Sequence, residues 1–123
     1  MKFTNGFWLM REGFSATYAL QAHSASVTKD DRRTKLAVTA ATKRINHRGD
    51  TLNAATLGLE FDAPANDVIR VRLSHHKGAK PALTFPVTES SAMVSASADE
   101  GWAQLTSGAL QVRASMGDDW NLE

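Results

Sequence analysis

Cysteine is absent from all 123 residues, which excludes disulfide staples, thiolate metal sites and a cysteine nucleophile and fits a reducing compartment. No apolar run approaches the roughly 20 residues that a membrane-crossing helix needs. At the start of the chain, Asn5 and Gly6 interrupt Met1 to Trp8 before the apolar core of an export signal can form. A cytoplasmic location is therefore the expectation. Charge of one sign is lacking too: 14 Lys and Arg stand against 13 Asp and Glu, a formal charge of +1. Such a balance sets up no field to draw in a phosphate backbone or an anionic lipid surface, so neither nucleic acid nor membrane is expected as a partner. The sequence also contains no Gly-x-Ser-x-Gly elbow, no phosphate-binding Gly-x-x-x-x-Gly-Lys loop and no dinucleotide fingerprint.

What is present is an ordinary globular mixture, 42% hydrophobic and 22% charged. A chain of this length buries about two thirds of its unfolded surface, enough for one core. Alternation of apolar and polar residues is the dominant pattern and predicts strands. Leu57, Leu59, Phe61 and Ala63 share one face, with Glu60 and Asp62 on a wet one. After a turn over Pro64 to Asp67, Ile69, Val71 and Leu73 resume the inward face. A second hairpin runs from Trp102–Thr106 through a turn at Ser107–Gly108 into Leu110, Val112, Ala114 and Met116. Weaker strands are expected over 18–27 and 35–42, where small side chains suggest close layer packing, around Phe85 and Val87, and over 93–96. Phe7 to Met10 reads as a strand docking onto the rest. Helical spacing is sustained nowhere. Seven to nine strands separated by turns predict an all-β fold, an antiparallel β-sandwich. After the turn at Gly117–Asp119, Trp120 and Leu122 begin a further alternation. This reads as a strand cut short, and the chain is expected to be the front of a longer protein.

Few residues carry candidate chemistry. His75 and His76 are adjacent, so on a strand they point to opposite faces and grip one metal ion poorly; no metal site is expected. His23 and His47 stand alone. The carboxylate pairs Glu60/Asp62 and Asp118/Asp119 could serve acid–base chemistry on a glycosidic bond, but a solvated strand face and a turn explain them as well. No catalytic residue is expected. Trp8, Trp102 and Trp120 raise stacking on sugar rings, with core packing the commoner use of indole. The richest segment is the loop 43–53. Its Arg48, Asp50 and Asn53 offer planar donors and acceptors suited to sugar hydroxyls, and the plain alternative is a solvated connection.

Met1-Lys2-Phe3-Thr4-Asn5-Gly6-Phe7-Trp8-Leu9, with Gly13 and Leu20-Gln21, resembles the start of bacterial α-xylosidases of glycoside hydrolase family 31. The segments Leu57-Gly58-Leu59-Glu60-Phe61, Val71 to Ala79 and Thr106 to Val112 follow in the same order. The resemblance covers the whole chain but only the N-terminal β-sandwich of that family, which is similar to galactose mutarotase. It implies one domain over 1–123, ahead of a catalytic (β/α)8 barrel that holds the two aspartates of a retaining α-glycosidase. It also implies no cofactor, an α-linked oligosaccharide as substrate of the whole protein, and a homo-oligomer. The sandwich would shape the rim of the sugar pocket, with the 43–53 loop the candidate contributor; Asn53 stands near a position where an acidic residue is expected. The rival reading is a stand-alone carbohydrate-binding or structural module.

Overall fold

Successive side chains of a strand point to opposite faces, so an apolar period of two buries one face of a sheet. The computed structural model describes residues 16–30, 33–75, 90 and 92–123, and in it this pattern yields two antiparallel sheets. The first is built from β1 (Gln21–Lys29), β2 (Thr34–Ala41), β3 (Thr56–Ala65) and β4 (Val68–Ser74), in that order across the sheet. The second holds β5 (Val94–Ala98), β6 (Trp102–Ser107) and β7 (Leu110–Ser115), also in chain order. Between them lies the core: Leu36, Val38 and Ala40 of β2 and Leu57, Leu59 and Phe61 of β3 meet Ala103 and Leu105 of β6 and Ala114 of β7. This is the antiparallel β-sandwich that the alternation predicts, with one 3-10 turn among the described residues, at Arg48–Thr51. The expected strands near Phe7–Met10 and Phe85–Val87 lie outside the described residues.

The β3–β4 turn is tighter than the sequence suggests, and the β6–β7 turn lies one residue later. The β3–β4 turn is the pair Asn66–Asp67, with Asp67 at φ 58. Pro64 is buried inside β3, beside a register shift between Asp62 and Ala65 where a missing N–H is tolerated. The β6–β7 turn is Gly108–Ala109, with Gly108 at φ 58, and Ser107 ends β6 fully buried. Ser107 Oγ donates to the Ala65 carbonyl at 3.1 Å, and the Ala109 N–H donates to Asp67 Oδ1 at 2.5 Å. The hairpin tips of the two sheets are thus bonded to each other, which helps fix how the layers stack. Gly108→Ala should meet both a left-handed backbone and the Asp67 carboxylate, against which a Cβ would collide. We expect a loss of about 1–2 kcal/mol from the backbone alone, read as a lower urea midpoint.

Two assignments are corrected: Val71 and Leu73, expected on the inward face, are exposed at 51% and 63%, and Asp62 does not share the wet face of Glu60. Glu60 is exposed on the outer face, as alternation predicts, but Asp62 is buried at 4% exposure. Arg70, its cross-strand neighbour, donates to both carboxylate oxygens, Nε to Oδ1 at 2.7 Å and a terminal nitrogen to Oδ2 at 2.5 Å. Arg72 lies 3.6 Å from Glu60 and 3.9 Å from Asp62. The Arg70 hydrogen bonds hold the Asp62 carboxyl below its ordinary value of 3.8, against desolvation and with help from the charges of Arg70, Arg72 and Lys35.

The alternation at Trp120 and Leu122 also takes a place in the fold. Leu122 bridges Ala114, and Arg113 and Glu123 exchange backbone hydrogen bonds of 2.7 and 3.0 Å. Trp120 packs against the core, while the Arg113 guanidinium lies over the Trp102 ring, 4.4 Å from its centroid. Both tryptophans thus have structural partners; Trp8 lies outside the described residues.

Candidate functional site

The connection between β2 and β3 does not project from the sandwich. It arches back over the outer face of the first sheet and is tied down at both stems. Thr42 donates to the Ala55 carbonyl from its backbone at 3.2 Å and from Oγ1 at 2.8 Å, and Lys43 Nζ donates to the Leu52 carbonyl at 2.8 Å. Gln21 clamps the arch from below: its Oε1 accepts from the Ile45 N–H at 3.0 Å while its Nε2 donates to Asp118 at 2.5 Å. Arg44 pairs with Asp119 at 3.0 Å. The adjacent carboxylates Asp118 and Asp119 are therefore tethers between the arch and the turn after β7.

At the top of the arch the chain makes the 3-10 turn Arg48–Thr51, capped by His47. Asp50 Oδ2 accepts from the Asn46 and His47 N–H groups at 2.9 and 3.2 Å, and His47 Nδ1 accepts from Gly49 N–H at 3.1 Å. These bonds satisfy donors that a short helical turn leaves orphaned. Asp50→Ala should loosen the turn by about 0.5–2 kcal/mol, seen as faster amide exchange at Asn46, His47 and Gly49 with little change in β2 and β3.

The three residues singled out in this loop thus have different situations. The Asp50 carboxylate is engaged within the loop. Asn53 is exposed and sits at φ 56, a backbone position that asparagine tolerates better than most residues. Arg48 is exposed, and no side-chain partner for it is present among the described residues.

Beneath the arch is a cavity of about 150 Å³, which the sequence reading missed. Thr39 and Ala41 of β2 and Thr56 of β3 lie on the outer face of the sheet, and Ile45, Thr51 and Ala54 come from the arch. His23 completes the lining. It occupies the register shift between Ala22 and Ser24, where β1 carries one residue more than β2. Nothing in the sequence marks that bulge. Elsewhere, His75 is exposed at the end of β4, and His76 lies outside the described residues. Among the described residues no three His, Cys, Asp or Glu side chains come together as a metal-binding group, and no helix is long and apolar enough to cross a membrane.

No protein-family model matches the chain. Curated proteins do, two alpha-xylosidases among them. An alpha-xylosidase of Lactiplantibacillus pentosus is 30% identical over 125 residues, a match that covers 100% of this chain and 16% of that protein. An alpha-xylosidase of Emericella nidulans is 37% identical over 78 residues, covering 63% of this chain and 9% of its own length. The whole of this chain is thus similar to one part of an alpha-xylosidase. It spans no more than about a sixth of the length of these relatives. Within the sandwich, Glu60 and Asp62 make a poor acid–base pair, because Asp62 is buried and both its carboxylate oxygens are taken by Arg70.

Proposed function

We propose that this chain is the N-terminal β-sandwich of a retaining α-glycosidase of glycoside hydrolase family 31, one that removes terminal α-xylosyl or α-glucosyl units. The sandwich takes no chemical step itself. In this reading the two catalytic aspartates belong to a (β/α)8 barrel, no cofactor takes part, and the protein works in the cytoplasm as a homo-oligomer. The observation that carries the proposal is similarity over the full chain to about a sixth of an alpha-xylosidase. The comparison to make is hydrolysis of an aryl α-xyloside by the product of the full reading frame and by residues 1–123 alone. Turnover by the long protein and none by the short one is the expected result. Steady turnover by residues 1–123 would place the chemistry in the sandwich and sink the proposal.

The arch is the part of the sandwich suited to reach a sugar bound next to it. A tied, pre-formed loop loses little entropy on contact, and Arg48 at its top is exposed, with five N–H donors for sugar hydroxyls. Asn53, exposed in the same loop, is a second polar candidate, while Asp50 contributes by holding the turn in shape. In the whole enzyme, Arg48→Ala should lower kcat/KM for the α-xyloside roughly ten-fold, the order expected for one hydrogen bond from a charged donor. Unchanged kinetic constants and unchanged assembly in Arg48→Ala and Asn53→Ala would remove the loop from the sugar site.

A further inference from the structure

The cavity under the arch has a lining that points to a ligand. Thr39, Thr51 and Thr56, whose side chains join a hydroxyl to a methyl group, line it together with the His23 imidazole. Thr51 Oγ1 already donates to the Arg48 carbonyl at 2.7 Å, which leaves its lone pairs as what it can still offer. Ala41, Ala54 and Ile45 supply the apolar remainder. Among the described residues no Asp, Glu, Lys or Arg lines the cavity, so a phosphate or carboxylate would lose its hydration with no opposite charge from them to replace it. A volume of about 150 Å³ also limits the guest, since a cavity of that order takes up a single six-membered ring such as benzene.

We propose that this cavity binds one neutral pyranose ring. A pyranose presents hydroxyls at its rim and C–H groups on its faces, and the lining offers partners for both. The site is built in advance. The ties at Thr42, Lys43 and Gln21 fix the roof over the sheet, so binding costs little ordering of the protein. Xylose is the first probe, because it lacks the hydroxymethyl group that a cavity of this size would have to accommodate in glucose. That choice rests on the alpha-xylosidase reading above, whereas the cavity itself asks only for a neutral, hydroxylated ring.

The experiment is a titration of the 15N-labelled chain with D-xylose, followed by amide shifts. Expected are saturable shifts at His23, Thr39, Ile45, Ala54 and Thr56, with a dissociation constant on the order of millimolar for so small a ligand. Glucuronate should give none of them. Ala54→Leu, which fills the cavity, should abolish the response, and Thr39→Val should weaken it roughly ten-fold. If Ala54→Leu disturbs the fold, Ala41→Val replaces it as the filling variant. Shifts that fail to saturate, that scatter over the surface, or that persist in the filled variant would overturn the proposal. The readout is independent of turnover: a chain that binds no xylose leaves the glycosidase reading standing, and a long protein without hydrolysis does not alter the titration.

Discussion

Replacing Phe61 by alanine should destabilise the domain by about 3–5 kcal/mol, the range for removing a large aromatic side chain from a closed core. Phe61 is fully buried and is the largest of the fully buried side chains among the described residues. It sits on β3 between Leu36 of β2 and Val71 of β4 in the ladder. With neighbours on both sides fixed by backbone hydrogen bonds, the site has little room to collapse around the hole, which keeps the cost high. A domain of this size has a total stability of about 5–15 kcal/mol, so the variant should be close to unfolding at room temperature. Phe61→Leu keeps most of the volume and should cost less than about 1.5 kcal/mol. Urea unfolding of both variants at unchanged slope is the measurement. A loss below about 1 kcal/mol for Phe61→Ala would mean that the sheets do not close on this residue.

Phe61 also shows what the sequence makes legible. Its place on the inward face follows from the period Leu57, Leu59, Phe61, though the same period in β4 leaves Val71 and Leu73 exposed. The inward positions of β3 are set by local alternation, which needs no knowledge of the partner sheet. Much of what escapes is set by departures from that period. The bulge at His23 shifts one side chain of β1 relative to its neighbours, and the register shift after Asp62 lets Pro64 sit inside a strand. Tertiary bonds are equally hidden. Gln21 and Asp118 are 97 positions apart, and Arg44 and Asp119 are 75 apart, yet these contacts decide that the 43–53 segment is a tied arch and not a projecting loop. Arg48, Asp50 and Asn53 look alike in the sequence as polar loop residues. The fold separates them, because a carboxylate three residues beyond an N-cap is drawn to the orphan N–H groups of the turn, while Arg48 finds no partner among the described residues.

The Asp62–Arg70 pair should give the other large effect, and its size should depend on pH. Arg70→Met keeps the aliphatic stem but leaves a carboxylate at 6% side-chain exposure without its bidentate partner. Breaking a buried pair from one side in this way costs about 3–5 kcal/mol near pH 7. Asp62→Asn should cost less, since the Arg70 side chain it leaves behind is 23% exposed and keeps some access to water. In the parent protein the Asp62 carboxyl titrates below 3.8. The pair's contribution is thus fully present above the unfolded aspartate value and is lost as pH falls through the lower folded one. In Arg70→Met the balance reverses. Desolvation, now opposed only by Arg72 and Lys35, raises the carboxyl, so acidification neutralises it within the folded state and relieves the variant. The stability gap between parent and Arg70→Met should therefore be widest at about pH 7 and narrow by about pH 3. Asp99 is also held low, by the Trp102 and Gly101 N–H groups, but it titrates alike in both proteins and cancels in the difference. Urea midpoints of parent, Arg70→Met and Asp62→Asn across this range test the argument. A gap that stays constant with pH would show that Arg70 contributes through packing rather than through the buried charge.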